Sequence, residues 1–367
     1  MRPERYTYPR YLRSKRTVDD RALNRDVMEA ALELLPKNRP ARVVELGGGV
    51  GTMIDRLIEN DGLVQADYLL VDTEAEFLRE VATLARDWEQ GATRNASAKP
   101  GTSVRVTTHE GRLEEWLEQS DATFDLIIVH AVLDLVDVRA ALPLLLQRLE
   151  PEGVLWTTIN FDGDTIFMPK DPRDAELLDA YHRSMDARTG SSTAGRELFG
   201  HVRDAGGTVV RAGSSDWVVF DDGSGYEGDE AYFAHHIVHT VEEELKRDPA
   251  LREIVRPWGE LRHAQIETGE LVYIAHQLDF AIRRYPTKRS PPSSHVGASG
   301  GRWSARIDAN CRDGSGPAPH YSADDASRRP AARPQPDRCG RAVHARNTVD
   351  HTRRSGTSGR RRADRAR

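Results

Sequence analysis

Cysteine is almost missing from this chain. Its 367 residues hold only two, Cys311 and Cys339, so the first 310 residues carry neither a disulfide framework nor a thiolate metal site. Long apolar runs are missing as well. No stretch approaches the roughly 18 apolar residues of a membrane helix, which excludes a transmembrane protein. Segment 1–16 has no apolar h-region, so secretion is not expected and the cytoplasm is the expected compartment. No internal repeat is visible. The apolar share of 38% and the mean hydropathy of −0.61 are low for a chain that folds throughout its length.

The net charge of −6 joins two unlike pieces. Residues 287–367 carry 18 Lys+Arg against 7 Asp, a net of +11; this leaves 34 basic and 51 acidic residues in 1–286, a net of −17. The basic piece is rich in Gly, Pro, Ser and Arg and has almost no Leu, Ile or Phe. It cannot bury enough apolar surface to offset the entropy of ordering, so 286–367 is expected to be a disordered basic tail. Its 17 Arg to one Lys also fit an out-of-frame extension, which the gene's reading frames would decide. The acidic body argues against a large nucleic-acid face, which would show a basic footprint.

Within the body, Leu23, Val27, Ala30, Ala31, Leu34 and Leu35 are spaced for one helix face. They predict a helix from Thr17 as N-cap to Leu35, ended by Pro36. Residues 42–46 form a short buried-strand pattern that runs into Gly47, Gly48, Gly49 and Gly51. Further strands are expected at 68–71, 104–107, 124–129 and 153–159, with helices at 52–59, 74–90, 113–117 and 140–149. Downstream, the pattern gives a helix over 196–205 and strand pieces at 208–211 and 216–220. A helical insertion over about 229–266 and a last strand over 271–282 follow. Such alternation means right-handed crossovers and a mostly parallel sheet, with the strand tips aligned along the edge where ligands bind. The expected divisions are an aromatic and basic extension 1–16, a body 17–285 and the tail.

The glycine run carries most of the information. Glycines at 47, 49 and 51 let the chain turn sharply off the strand and approach a ligand with bare backbone. Glu45 at the strand end is unsuited to a pyrophosphate and fits a ligand with an ammonium group. Asp72 ends the next strand, 21 residues after Gly51, where it can accept hydrogen bonds from ribose hydroxyls. The nicotinamide pattern Gly-x-Gly-x-x-Gly and the phosphate-loop pattern Gly-Lys-Ser/Thr are both missing.

On Glu45, Gly47, Gly49 and Gly51, an acidic–x–Gly–x–Gly–x–Gly motif, the chain resembles the class I S-adenosylmethionine-dependent methyltransferases over residues 17–285. The resemblance implies a doubly wound α/β fold, Rossmann-like, with a mostly parallel seven-stranded sheet and a late hairpin strand at 271–282. It implies S-adenosyl-L-methionine as cofactor, with Glu45 near its methionine end and Asp72, with Thr73 beside it, on the ribose. It places Glu110, with Gly111 and Arg112, at the adenine edge. It places His130–Asp134, after the fourth strand, facing cofactor and substrate.

Methyl transfer from a sulfonium needs mainly positioning and desolvation, so a general base is required only for a protonated acceptor. His130 and Asp134 are the candidates for a base or an orienting group; otherwise His130 packs on the adenosyl group and Asp134 caps the next helix. Asn160 and Asp162 are candidates to bind a polar substrate, or else build a turn. His235 and His239 have the i, i+4 spacing of a metal pair, but no further ligand accompanies them, so polar helix surface is expected and no metal. The tyrosines and arginines of 1–16 suit a lid, an RNA contact, or an extension packed on the first helix, the last being preferred. Trp217, Tyr232 and Phe233 suit core and pocket equally. The expected activity is methylation of a small-molecule acceptor, without membrane or nucleic acid as partner. The alternatives are an RNA methyltransferase and a non-catalytic module of the same fold.

Overall fold

The computed structural model describes residues 2–285; the basic segment expected to be disordered lies outside the described residues. Strand β1 (Ala41–Leu46) is followed by α4 (Thr52–Glu59), β2 (Gln65–Asp72), α5 (Ala75–Glu89), β3 (Ser103–Glu110), α6 (Leu113–Gln119) and β4 (Phe124–His130). Then come α7 (Val138–Gln147), β5 (Leu149–Met168), α8 (Asp174–Asp186), α9 (Ala194–Asp204), β6 (Gly207–Ser214) and β7 (Trp217–Val219). Helices α10 (Glu230–Leu245) and α11 (Arg252–Glu267) precede the last strand, β8 (Val272–Arg284). Ahead of β1 lie α1 (Tyr8–Ser14), α2 (Arg16–Ala22) and α3 (Arg25–Leu32).

The sheet order is β3-β2-β1-β4-β5-β8-β6, with β7 pairing β8 off this path. Strands β1 to β5 run parallel, and β8 lies antiparallel between β5 and β6. This is the seven-stranded, doubly wound path implied by the resemblance, with the short β7 added. The chain winds outward from β1 to β3 and returns to β4, so the direction reverses between β1 and β4. A crevice opens at the strand tips there.

Burial follows the period of two. In β4, Leu126 and Ile128 belong to one core, while Ile127 and Val129 belong to the other. The first core is closed by Val27 of α3, Met53 of α4, Phe233 of α10 and Trp258 of α11; the second by Trp116 of α6, Leu142 of α7 and Leu198 of α9. Each fully buried side chain of this kind contributes roughly 1.5–3 kcal/mol.

Four sequence expectations need correction. The predicted helix 17–35 is two helices, because Leu23 leaves helical geometry and Asn24, not Thr17, caps α3 by accepting from Val27 N at 3.1 Å. The tyrosines of extension 1–16 pack mainly on α10 rather than on that first helix, which the extension meets through Lys15 and Asp19: Tyr11 stacks on His236 with ring centroids 4.3 Å apart, and Arg10 lies 3.9 Å over the Tyr232 ring. The fifth strand reaches Met168 rather than residue 159. At Ile159 (φ 57°) a bulge interrupts the pairing with β8, and β5 and β8 then continue together past the sheet edge. Helix α8 was not expected, although Leu177, Leu178 and Tyr181 share the spacing of a buried face.

Candidate active site

At the end of β1 the chain turns back on itself. Gly47 (φ 76°) donates its N–H to Val71 O at 2.8 Å, and a Cβ there would stand 2.6 Å from Val132 Cγ2. Gly51 (φ 77°) caps α4 in the left-handed region, where a Cβ would meet Trp88 Cη2 at 2.9 Å. Both positions therefore demand glycine, for space as much as for conformation.

The two acids flanking this turn are fixed differently. Asp72 bridges it: Oδ2 accepts from Gly49 N at 2.8 Å and Oδ1 from Glu74 N at 2.9 Å. Each oxygen keeps a lone pair for a ligand hydroxyl. Glu45 is 2% exposed, and its Oε2 accepts from the Tyr68 hydroxyl at 2.7 Å. Burial pushes its carboxyl up to about 7, against the opposing pull of the Tyr68 hydrogen bond and the Arg56 charge.

Above the strand tips lies a cavity of about 580 Å³, lined by Glu45, Gly47, Gly49, Asp72, His130 and Asp134 among others. That volume suits a cofactor-sized ligand. Thr73, Gly111 and Arg112 also line it; Gly51 and Glu110 do not, and Glu110 is solvent-exposed at the end of β3. Helix α1 forms part of the wall through Tyr8, Tyr11 and Leu12.

His130 is engaged through both ring nitrogens. Nδ1 lies 2.7 Å from Thr158 Oγ1 and Nε2 lies 3.1 Å from Asp19 Oδ2. The carboxylate takes the Nε2 proton, so Nδ1 accepts from the Thr158 hydroxyl. Burial, reinforced by the Lys15 charge, lowers the ring to about 4, so it is neutral at pH 7. Asp19 is the hub here. It also takes Lys15 Nζ at 3.2 Å and the Trp217 indole N–H at 2.8 Å. Its burial opposes ionisation, but Lys15, His130 and Arg56 hold the carboxyl well below the usual range.

Asp134 does not cap α7; Asp137 does, accepting from Ala140 N at 3.2 Å. Asp134 sits instead on the 3₁₀ turn 133–135, where its Oδ1 is buried without a hydrogen-bond donor. Asn160 and Asp162 are not among the residues that line the cavity, and both are engaged in bonds of the fold. Asn160 receives the Thr157 hydroxyl at 2.8 Å and donates to Leu278 O at 2.7 Å. Asp162 accepts from Arg196 N at 2.6 Å, satisfying an N–H in the first turn of α9.

His235 and His239 do not converge: His235 Nδ1 meets His263 Nδ1 at 2.8 Å, while His239 stacks on Tyr6 at 4.0 Å. Trp217 lines the cavity, whereas Tyr232 and Phe233 lie in the interior. The cations of the N-terminal segment are largely engaged within the protein, Arg10 with Asp229 at 2.8 Å, Arg13 with Glu80 and Arg16 with Glu59, both at 2.5 Å. Lys15 belongs to the segment for which a lid was one expected reading, and it lines the cavity with Tyr8 and Tyr11; sequence reasoning missed Tyr181 and Tyr273. The apolar face of α8 would have found Tyr181.

No family model matches the chain and no curated protein matches it. Among solved structures it is similar to a SAM-dependent methyltransferase from Thiobacillus denitrificans in complex with S-adenosyl-L-homocysteine. Identity is 18% and the TM-score 0.40, over 76% of this chain and 100% of that one. It is similar to a SAM-dependent methyltransferase from Geobacter sulfurreducens, also with S-adenosyl-L-homocysteine, at 16% identity and a TM-score of 0.39, over 75% and 98%. A putative sarcosine dimethylglycine methyltransferase from Galdieria sulphuraria is 15% identical with a TM-score of 0.37, over 73% and 85%. Among the described residues no helix is long and apolar enough to cross a membrane.

Proposed function

We propose that the cleft binds S-adenosyl-L-methionine and that the chain is a methyltransferase acting on a small-molecule acceptor. The observation that carries this reading is the pair of acids around the glycine turn, at the point where the strand order reverses. Glu45 stands at the tip of β1 and Asp72 at the tip of β2, both lining one cavity.

The residues fit that cofactor group by group. Glu45 suits its ammonium, Lys15 its carboxylate and Asp72 its ribose hydroxyls, while Gly111 and Arg112 stand where the base would lie. The glycine backbone supplies close approach that a side chain would block. Once bound, this cofactor supplies a methyl group already activated by the positive charge on sulfur.

The protein's task is then to hold two reactants in line and to exclude water. Helix α1 covers the cleft with Tyr8, Tyr11 and Leu12. The His130–Asp19–Lys15 chain ties α2 to the tip of β4, so that the cover and the floor keep a fixed relation. Both ring nitrogens of His130 already have partners, which makes it a positioning residue rather than a base. Titration calorimetry with S-adenosylhomocysteine tests the reading. Binding with one site per chain is expected; a flat titration at high protein concentration overturns it.

A further inference from the structure

We propose that the far end of the cleft is a binding site for an organic ammonium with an apolar body, which Asp134 holds through the ligand's N–H groups. This rests on the methyltransferase reading and names the class of acceptor that the enzyme takes.

Asp134 presents an unmatched acceptor to the cavity. Among the described residues no cation lies within ion-pair distance of it; of the two cations that line the cavity, Lys15 is paired with Asp19 at 3.2 Å and Arg112 lies 3.6 Å from Glu114. The half-buried carboxyl takes only its own backbone N–H, so its sealed Oδ1 is left without a donor, and a ligand bringing both charge and N–H groups would relieve that cost. The turn itself is clamped. Ser191 N donates to Asp134 O at 3.1 Å, and Gly190 passes so close that a Cβ would lie 2.1 Å from that oxygen. The loop between α8 and α9 thus fixes the backbone of Asp134 and leaves its side-chain oxygen unpaired.

The surroundings favour a cation over an anion. The ionisable groups facing Asp134 are Tyr8 and Tyr181, with Lys15 acting from beyond pairing distance. Burial raises both phenols, Tyr181 to about 12, so they present neutral rings. Tyrosine rings attract ammonium groups through their π faces. Burial also pushes the Asp134 carboxyl up to about 6, so it is mostly ionised at neutral pH. Met185, Ile237 and Val241 complete the wall and suit the carbon part of the ligand. An alcohol brings no charge, and a quaternary ammonium brings no N–H for Oδ1.

The test titrates 2-phenylethylamine, 2-phenylethanol and (2-phenylethyl)trimethylammonium into the full chain, with and without saturating S-adenosylhomocysteine. The amine is expected to bind at least ~10-fold more tightly than either analogue, and Asp134→Asn to abolish that preference. A second readout needs no variant. In the wild type, amine binding between about pH 5 and 6.5 should release a proton from Asp134, seen as heats that vary with the buffer's ionisation enthalpy. Equal affinities, no amine binding, or a preference that persists in Asp134→Asn overturns the proposal. If S-adenosylhomocysteine fails to bind while the amine preference stands, the methyltransferase reading falls and the ammonium site remains. The reverse pattern removes the site alone.

Discussion

Asp72 Oδ2 accepts the backbone N–H of Gly49 at 2.8 Å, so the acid that ends β2 is bonded to the turn that follows β1. The same carboxylate that would meet a ribose therefore also shapes the glycine bend. Asp72→Ala removes both roles, and S-adenosylhomocysteine affinity is expected to fall at least ~10-fold, equivalent to about 1.4 kcal/mol. Calorimetric titration measures it. Unchanged affinity would falsify the ribose assignment.

Asn160 is a contrasting case. It is fully buried, and its side chain joins Thr157 to the Leu278 carbonyl across the β5–β8 bulge. Asn160→Ala strands those groups and should destabilise the fold by about 1–3 kcal/mol. Ligand affinity at a temperature where the variant is folded should stay within about twofold. Urea melts followed by titration separate the two effects.

Lys15 and Asp19 form a buried pair, 6% and 1% exposed, that locks α2 onto His130 and Trp217. Lys15→Met leaves the buried Asp19 carboxylate without its nearest cation and should cost about 3–5 kcal/mol at pH 7. The pH sign follows from Asp19 being held below its unfolded value. Its contribution is present above the unfolded carboxylate range near ~4 and is lost as pH falls through the folded value. The gap in stability between wild type and Lys15→Met should accordingly narrow as pH drops below ~4. A gap that widens on acidification contradicts the assignment.

Gly51 belongs to the motif but not to the cavity wall. Its φ of 77° and the approach of Trp88 mean that Gly51→Ala suffers both left-handed strain and a clash. The strain alone costs about 1–2 kcal/mol. A lowered thermal midpoint is expected, with no specific loss of cofactor contacts. If the midpoint held while binding vanished, Gly51 would be a ligand residue after all.

Much of this architecture was legible beforehand because it is local. The β1–β4 strands alternate or run apolar, α4 and α5 keep the helical period, and the glycine turn stands directly after its strand. The pocket's other wall was not legible, because it is assembled from distant pieces. Lys15, Tyr181 and Tyr273 line one cavity only after three separate segments fold together; the apolar face of α8 marks Tyr181 as inward, but nothing local assigns it to a pocket. Asn160 and Asp162 misled for the opposite reason. They follow the fifth predicted strand in sequence, but β5 does not end there; the bulge at Ile159 carries it onward and turns both side chains into structural bonds. The division of 17–35 into two helices turned on one residue, Asn24, whose side chain offers a better cap than helix continuation.

The position of β8 bears on how the molecule is made. Among the described residues, β6 and β7 form ladders with no strand but β8, which is the last of the three to be synthesised. On the ribosome, residues 207–219 must wait, with open edges, until the chain has reached about residue 284 and can slot between β5 and β6. Nascent chains stopped before that point should expose sticky strand edges, and the acidic surface of the body would then keep such intermediates apart.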